Sequence, residues 1–394
     1  MIEKLIKAGM NCARLNCSHG TPSDRQPVVA KLKKVRNKLG APVAILIDTK
    51  GPEFRIKTFK DGFAEVKDGD SFTFTTNDVE GDNTQVSLNC GEICSSFEPG
   101  DIILANDGLV KFEVVEANDK NIDCKVLIGG KISNNKSLNF PGKVVHQKYL
   151  SKTDELDLRF AIKNGLDYVA CSFVSNKEDI KSVREFLNAN GGSQISLIAK
   201  IENQSGIDNV EEISEYCDGI MVARGDLGVE IDYDVLPFIQ KQIIHKCIKL
   251  GKLGITSTEM LESMITNPRP SRAETSDVAN AVYDGSACLM LSGETAMGKY
   301  PVESVEAMSN IAIATERNVP YTDFIKRRTL VCPGRTVDAI AHATCTIAVD
   351  VKAKGIVNLT ASGFTSEIIS NFRPHVNVCS ITLADHEFYK LSLY

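Results

Sequence analysis

Three charged side chains, Lys200, Glu202 and Asp226, stand at the ends of two successive apolar runs of this 394-residue chain. The runs, residues 195–201 and 219–223, bracket one amphipathic helical segment, and such a βαβ unit makes its two strands parallel. Because the carboxyl ends of parallel strands lie at one edge of a sheet or barrel, we expect the three side chains to converge. One ammonium and two carboxylates suit a divalent cation, Mg²⁺ or Mn²⁺, beside an anionic substrate. A structural ion pair at a strand end is the alternative.

A second polar set follows the first two predicted strands. Arg14, Asn16 and Ser18 alternate along one strand end, and Asp48 and Thr49 follow the next strand. Alternation places the first three on one face. The oxygens of Asn16, Ser18, Asp48 and Thr49 would suit a monovalent cation, while Arg14 would reach a phosphate or carboxylate. Turn capping by Asn, Ser and Asp is the alternative and stays open here.

Thr258 ends a further strand, where its hydroxyl would hold a water beside a reacting carbon. Helix capping ahead of Glu259 explains the same residue equally well. The chain contains neither a GxxxxGK[ST] loop nor a GxGxxG motif. A nucleotide, if bound, is therefore not held by either of these glycine-rich loops.

Composition excludes several classes of protein. The chain is 43% hydrophobic and 24% charged, as is ordinary for a globular protein, with a net charge of −6 and no long basic run, which disfavours nucleic-acid binding. No apolar run approaches the length of a membrane span, and the first residues lack the apolar core of a signal peptide. The twelve cysteines are scattered without a CxxC pair. They indicate thiols in a reducing compartment, the cytoplasm, rather than disulfides or zinc.

The order of the apolar patterns predicts several domains. Residues 1–52 read as αβαβ, residues 53–149 as an inserted all-β module, and residues 150–320 resume the α/β pattern. Residues 321–335 read as a linker, and residues 336–394 as a further α/β domain that stops in mid-pattern. Strands ending near 15, 47, 174, 201, 223, 257 and 291 predict a (β/α)8 (TIM) barrel whose first strand would precede Ile2. The fold class is therefore α/β: a barrel, an inserted all-β lid and a truncated C-terminal α/β domain.

Together, nine segments identify the chain as a member of the pyruvate kinase family. They are GMNCARLNCSHG, IDTKGPE, SLNFPG, AKIEN, MVARGDLGVE, TEMLESM, PRPSRAE, SDVANAVYDG and MLSGETA, in that family's order. The resemblance implies transfer of the phosphoryl group of phosphoenolpyruvate to ADP, giving ATP and pyruvate in glycolysis. Mg²⁺ (or Mn²⁺) and K⁺ are the cofactors that it implies.

The resemblance also implies roles for individual residues. By similarity, Lys200 stabilises the phosphoryl transition state, and Glu202 and Asp226 bind Mg²⁺. Phosphoenolpyruvate or its enolate would contact Arg14, Lys200, Gly225, Asp226 and Thr258, of which Arg14, Lys200 and Thr258 are the expected catalytic residues. K⁺ would lie at Asn16, Ser18, Asp48 and Thr49, and Glu53 matches the acidic residue of K⁺-dependent members. The nucleotide would be served by Asn16, His19, Arg55, Lys136 and Asp107.

Some positions depart from the family. Cys17 stands where Phe is usual, Glu259 where Gln is common, and the family's first barrel strand is missing upstream of Ile2. We therefore expect a partial chain or gene model. Residues 360–365 resemble the loop that binds an effector phosphate, but the rest of that site would lie beyond Tyr394. The family resemblance implies a homotetramer.

Two other functions remain open at this point. One is a metal-dependent barrel lyase or aldolase acting on pyruvate enolates, which also pairs Glu and Asp around Mg²⁺. It leaves the β insertion and residues 48–53 unexplained. The other is an inactive truncated subunit that docks on full-length partners. A K⁺ requirement and ADP binding would separate the kinase from the lyase.

Overall fold

Seven parallel strands form the central sheet of the structure, a computed structural model that describes residues 1–89, 93–143, 148–321 and 335–394. Numbered along the chain and given in spatial order, they are β1 (Cys12–Asn16), β2 (Ala44–Asp48), β11 (Tyr168–Cys171), β12 (Ser196–Ile201), β13 (Gly219–Ala223), β14 (Leu253–Ser257) and β15 (Cys288–Met290). All seven predicted strands are confirmed. Neighbours pair in register, with Lys200 opposite Met221, so the carboxyl ends of the strands lie at one edge. In the described part of the chain, β1 and β15 are the two edge strands.

The five inner strands are buried on both faces, as their continuous apolar runs predict, while the edge strands β1 and β15 are only partly buried. Alternate side chains of β2 enter two different cores. Ile45 and Ile47 pack with side chains from the surrounding helices. Ala44 and Leu46 face the inside of the curved sheet, where they meet Tyr168. This two-sided burial fixes the register of the sheet and hence the position of every strand end.

Helices connect the strands. They are α1 (Ile2–Ala8), α2 (Pro22–Leu39), α3 (Lys152–Lys163), α4 (Lys177–Ala189), α5 (Gln204–Asp208), α6 (Val210–Ser214), α7 (Arg224–Glu230), α8 (Leu236–Leu250), α9 (Arg272–Asp284), α10 (Gly293–Ala296) and α11 (Pro301–Glu316). Four of them, α2, α3, α4 and α9, begin with a capping box in which an N-cap side chain and an acidic residue three positions later bond each other's backbone. The sequence pattern predicts long helices over residues 21–39, 153–164, 177–188, 235–250, 273–283 and 302–317, and each lies within two residues of the observed bounds. The short helix α7 was not predicted.

The inserted β module lies between β2 and α3. Its six-stranded sheet consists, in spatial order, of β10 (Leu138–Asn139), β6 (Ile102–Ala105), β7 (Val110–Ala117), β8 (Asn121–Ile128), β4 (Ser71–Thr75) and β5 (Gln85–Ser87). β3 (Phe63–Val66) pairs with β9 (Gly130–Ser133) in a second, two-stranded sheet. Phe72, Phe74 and Phe112 form the centre of the module's own core, with ring centroids 5.0–5.3 Å apart. Short alternating runs at residues 71–75, 84–88, 102–104, 109–116 and 122–127 predict five strands here, and all five are confirmed. β3, β9 and β10 were not predicted.

The C-terminal unit contains α12 (Thr336–Asp350), β16 (Gly355–Leu359), α13 (Phe364–Asn371), β17 (Asn377–Ile381) and α14 (Asp385–Lys390), with β16 and β17 paired in parallel. It contacts the barrel through several hydrogen bonds and through Leu393, which packs in the core inside the curved sheet. Tyr168 Oη donates to the carbonyl of Lys390 at 2.9 Å, and Asn371 Nδ2 donates to the carbonyl of Ile248 at 2.7 Å. The predicted linker, residues 321–335, lies almost wholly outside the described residues.

Two further features concern the described chain as a whole. No described helix combines the length and the apolar character that crossing a membrane requires. Cys124 of the module and Cys171, Cys217 and Cys247 of the barrel are buried thiols, as predicted. Burial raises the pKa of each, that of Cys217 to about 12.

Candidate active site

Lys200, at the end of β12, is the centre of the candidate site. Its ammonium lies 2.7 Å from Ser172 Oγ, 2.8 Å from Glu202 Oε1 and 3.2 Å from Asp48 Oδ1. The residue is 8% exposed. Burial alone would lower the pKa of Lys200, but the carboxylates of Asp48 and Glu202 outweigh that effect and raise it. Lys200 therefore keeps a positive charge in a place that largely excludes water.

Two carboxylates face each other beside this ammonium. Glu202 is fully buried, and its Oε2 accepts a hydrogen bond from the backbone N–H of Phe173 at 2.6 Å. Burial raises the pKa of Glu202 to about 7, with the nearby Asp226 contributing to the rise. Burial also raises the pKa of Asp226, whose neighbours include Glu53. A bound divalent cation would stabilise the charged forms of both carboxylates, which burial disfavours.

The donor set fits a Mg²⁺ ion that keeps part of its coordination shell for other ligands. The oxygens are hard carboxylate oxygens, as Mg²⁺ prefers, and they come from two neighbouring strand ends. Within the described residues, no group of three or more His, Cys, Asp and Glu side chains is placed to hold a metal. Protein carboxylates alone would therefore leave several positions to water and substrate oxygens.

The residues predicted to hold K⁺ lie next to Lys200. Asp48 links the two groups, because its Oδ2 accepts from Arg14 Nε at 2.6 Å and its Oδ1 faces Lys200. Burial raises the pKa of Asp48, but Lys200 and Arg14 outweigh it and lower the pKa overall. Asn16 Oδ1 accepts from the N–H of Ser18 at 2.9 Å. Asp48 thus links Arg14 to Lys200, while the side-chain oxygen of Asn16 bonds the backbone of the turn beside them. This bond is compatible with both interpretations of Asn16, so K⁺ binding stays a prediction.

Ser172 is a site residue that the sequence reasoning missed. It directly follows β11, and its hydroxyl lies 2.8 Å from the carbonyl of Thr49 and 3.2 Å from Asp48 Oδ1 as well as beside Lys200. Thr49 Oγ1 in turn donates to the carbonyl of Ala170 at 3.2 Å. A polar residue directly after a run of apolar ones was the available signal. Gly51 is required beside it, since a Cβ there would lie 2.6 Å from the carbonyl oxygen of Ser172.

Thr258 stands on a loop with a rare backbone conformation. Thr258 and Glu259 have φ of 65° and 51°, in the left-handed region. Thr258 Oγ1 accepts from the N–H of Gly225 at 2.7 Å and donates to the carbonyl of Ser257 at 2.6 Å. The next helical turn, Glu262–Ile265, has Leu261 at its N-cap. Thr258 is therefore not the cap of that turn, and the capping alternative is wrong.

Two buried charged residues, Arg224 and Glu294, bind the backbone of this loop. Arg224 Nη2 donates to the carbonyls of Thr258 at 2.7 Å and Glu259 at 2.8 Å, and its Nη1 pairs with Asp277 at 2.7 Å. Glu294 accepts from the backbone N–H of Leu261 at 3.0 Å. Such over-determination is what maintains an unfavourable backbone conformation at a functional site.

The expected nucleotide residues lie mainly on the β module and its hinge. Arg55 pairs with Glu53 at 2.7 Å, and Lys136 pairs with Asp107 at 3.4 Å. His19 is exposed after β1, where its carbonyl accepts from Arg25 at 3.1 Å. A cleft between module and barrel is lined by both, including Glu53, Asn139, Phe173, Asp226 and Glu230.

Two family models match most of the chain. The model of the pyruvate kinase barrel domain matches residues 1–305, and that of the pyruvate kinase alpha/beta domain matches residues 338–394. The chain is 44% identical to the pyruvate kinase of Staphylococcus saprophyticus over 97% of its own length and 66% of the relative's. It is 42% identical to that of Clostridium perfringens over 97% of its length and 81% of the relative's.

The fold comparison is equally extensive. A crystal structure of a pyruvate kinase from Cryptosporidium parvum superposes with a TM-score of 0.96 at 37% identity, covering 100% of this chain and 82% of the other. The chain thus spans about two thirds of the length of the staphylococcal relative and about four fifths of the other two. Fold, strand-end residues and comparisons agree: this chain belongs to the pyruvate kinase family.

Proposed function

We propose that this chain transfers the phosphoryl group of phosphoenolpyruvate to ADP, giving ATP and pyruvate. The observation that carries the proposal is the buried Lys200 ammonium between Asp48, Ser172 and Glu202. Phosphoryl transfer needs a positioned positive charge and little water, because charge develops on the transferred oxygens and no covalent nucleophile is required. Lys200 supplies that charge, and Arg14, oriented by Asp48, binds the phosphate or carboxylate of the substrate.

Glu202 and Asp226 would hold the Mg²⁺ ion, which when bound neutralises phosphate charge. Asn16, Ser18, Asp48 and Thr49 would hold K⁺, and Glu53, the acidic residue of K⁺-dependent members, lies beside Asp226. Gly225 and Thr258 would contact the enolate. Thr258 accepts from Gly225 and lies beside the substrate position, so a water held there would protonate the enolate carbon.

The β module would act as the lid that closes the cleft over the nucleotide. Arg55, Lys136 and Asp107 of the module and His19 and Asn16 of the barrel would contact ADP. Arg55 pairs with Glu53, and Lys136 pairs with Asp107. When ADP binds, its phosphate oxygens would replace these two carboxylates as the partners of Arg55 and Lys136.

We also propose a cytoplasmic homotetramer. Exposed large apolar side chains support association with further copies, among them Tyr233 at 85% and Phe238 at 60% exposure. Sedimentation of the purified chain tests the assembly, and a monomer at micromolar concentration would contradict it.

The first experiment is pyruvate formation by the purified chain from phosphoenolpyruvate and ADP, with Mg²⁺ and K⁺ omitted in turn. We expect activity that needs both ions and ADP, and that falls at least about 1,000-fold in Lys200→Met, since the charge acts in a water-poor site. Lys249→Met, at an exposed position in the last turn of α8, is the matched control and should retain activity. Turnover that does not need ADP would favour a lyase instead, and loss of activity in both variants would point to misfolding.

A further inference from the structure

Helix α7 has only seven residues, yet it contacts both the Thr258 loop of the barrel and the β module. At its start, Arg224 and Gly225 hold the loop of Thr258. Asp226, one residue later, is one of the two carboxylates proposed for Mg²⁺. At its end, Val229 and Glu230 face the β module. At 1.5 Å per residue the two ends are only about 9 Å apart, so Glu230 stands at a short, fixed distance from Asp226 and from the anchored start of the helix.

The carboxylate of Glu230 reaches directly into the module. Its Oε1 accepts two hydrogen bonds, from Asn139 Nδ2 at 3.1 Å and from the backbone N–H of Phe140 at 3.2 Å. Burial raises the pKa of Glu230, and the two hydrogen bonds oppose the rise. The contact is therefore a partly buried polar contact, for which a lost partner is costly.

Both of these partners belong to the body of the module. Asn139 pairs with Leu104 across strands β10 and β6. The ring of Phe140 lies in the module core, with its centroid 4.9 Å from that of Phe97 and 5.1 Å from that of Phe54. Glu230 therefore binds the folded body of the module rather than one of its loops.

A second contact supports the same orientation. The module turn at Asn106 and Asp107 has a left-handed backbone, with φ of 54° and 58°. Gly108 follows, so close to α7 that an added Cβ would lie 3.3 Å from Val229 Cγ1. Asp107, a proposed nucleotide residue, is thus placed by a turn that lies against the helix carrying Asp226.

We infer that Glu230 is a positioning residue: its Oε1 docks the β module on helix α7 and so sets the nucleotide residues of the module relative to the carboxylate of Asp226. The expected effect on kinetics rests on the proposed function, whereas the docking of the β module on helix α7 does not depend on that function. A substrate bound wholly within the barrel, as proposed for phosphoenolpyruvate, should not depend on this contact. A nucleotide bound between module and barrel should.

The two hydrogen bonds end on a single oxygen, which makes a sharp test available. Glu230→Gln keeps a carbonyl oxygen that accepts both bonds, whereas Glu230→Ala removes the acceptor. We expect Glu230→Ala to raise KM for ADP about tenfold while KM for phosphoenolpyruvate and kcat stay within about threefold. Glu230→Gln should restore the KM for ADP to within about twofold of the unaltered chain. Asn139→Ala should give part of the effect, and adding it to Glu230→Ala should raise KM for ADP no further.

Amide hydrogen exchange tests the docking without activity. The peptide covering residues 136–143 should exchange about tenfold faster in Glu230→Ala than in the unaltered chain or in Glu230→Gln. If Glu230→Ala leaves both KM for ADP and this exchange rate unchanged, the inference is wrong. It is equally wrong if Glu230→Gln is as impaired as Glu230→Ala, or if KM for both substrates rises together. Should the unaltered chain be inactive, the proposed function fails, and the exchange experiment still decides whether Glu230 docks the module.

Discussion

At the residue scale, the site depends on how a buried ammonium is kept charged and aimed. Lys200 has three oxygen partners, two of them anionic, within 3.2 Å. The strand-end rule predicted that Lys200, Glu202 and Asp226 lie close together, because each follows the end of an apolar run. It missed Ser172, because a hydroxyl after a strand is common. Only the fold shows that Ser172 lies beside Lys200, which is 28 residues later in the sequence.

Ser172 is the neutral partner of Lys200, so its removal should leave the charge but loosen its direction. We expect Ser172→Ala to lower kcat about tenfold and to change the free energy of unfolding by only about 1 kcal/mol. Steady-state kinetics and chemical denaturation measure the two effects. Ser182→Ala, whose hydroxyl only bonds its own helix, is the matched control. An unchanged kcat in Ser172→Ala would show that Asp48 and Glu202 alone position the ammonium.

At the element scale, the loop of residues 258–261 and helix α7 show where sequence patterns stop being informative. The left-handed pair Thr258–Glu259 carries no glycine signal, because Arg224 and Glu294 impose the conformation from elsewhere in the chain. Helix α7 was not predicted because it is short and contains Gly225 and Gly228, which disfavour helix. Tertiary contacts decide both structures, whereas the long helices with capping boxes were predictable from sequence.

Glu294 provides a test of this loop. Its two oxygens accept from the backbone N–H groups of Leu261 at 3.0 Å and Ser292 at 2.7 Å. Glu294→Gln replaces one acceptor by a donor, which then faces an N–H group. We expect kcat to fall about tenfold and the free energy of unfolding to fall by about 1–3 kcal/mol.

The exposed Glu303, in the first turn of α11, supplies the control variant Glu303→Gln. We expect Glu294→Gln to have both a lower kcat and a lower free energy of unfolding than Glu303→Gln. Equal behaviour of Glu294→Gln and Glu303→Gln would show that Arg224 holds the loop without help from Glu294.

At the scale of the whole molecule, the junction between the barrel and the C-terminal unit contains a carboxylate, Glu367, whose pKa lies near neutrality. Burial raises the pKa of Glu367 from 4.5 to about 7, and the carboxylates of Asp218 and Glu387 add to the rise. Lys390 and the hydroxyl of Tyr394 oppose it. The barrel strands and the C-terminal helices were predictable from their apolar periods, but this contact joins residues far apart in sequence and was not.

Glu367 should make stability depend on pH. Between pH 4.5 and 7 the folded chain holds a proton that the unfolded chain has lost, so the free energy of unfolding falls as pH rises through this window. The change is at most about 3 kcal/mol. Glu367→Gln should therefore be more stable than the unaltered chain at pH 8 and should show a flatter dependence of the melting temperature on pH.

Thermal denaturation from pH 5 to 8 measures this difference. Glu185→Gln, on the exposed side of α4, is the control and should follow the unaltered chain. Parallel curves for Glu367→Gln and the unaltered chain would contradict the assignment of the pH dependence to this junction.

The buried thiols of the two domains can be used to determine which domain opens first. Cys124 lies in the core of the β module and Cys247 in the core of the barrel, and burial raises the pKa of both. Neither can react with an alkylating reagent until its surroundings open, because only an exposed thiolate is reactive. The labelling rate at each position therefore reports the opening of its own domain. If the module detaches as a folded unit, neither Cys124 nor Cys247 should be labelled. If the module unfolds to release nucleotide, Cys124 should be labelled and Cys247 should not.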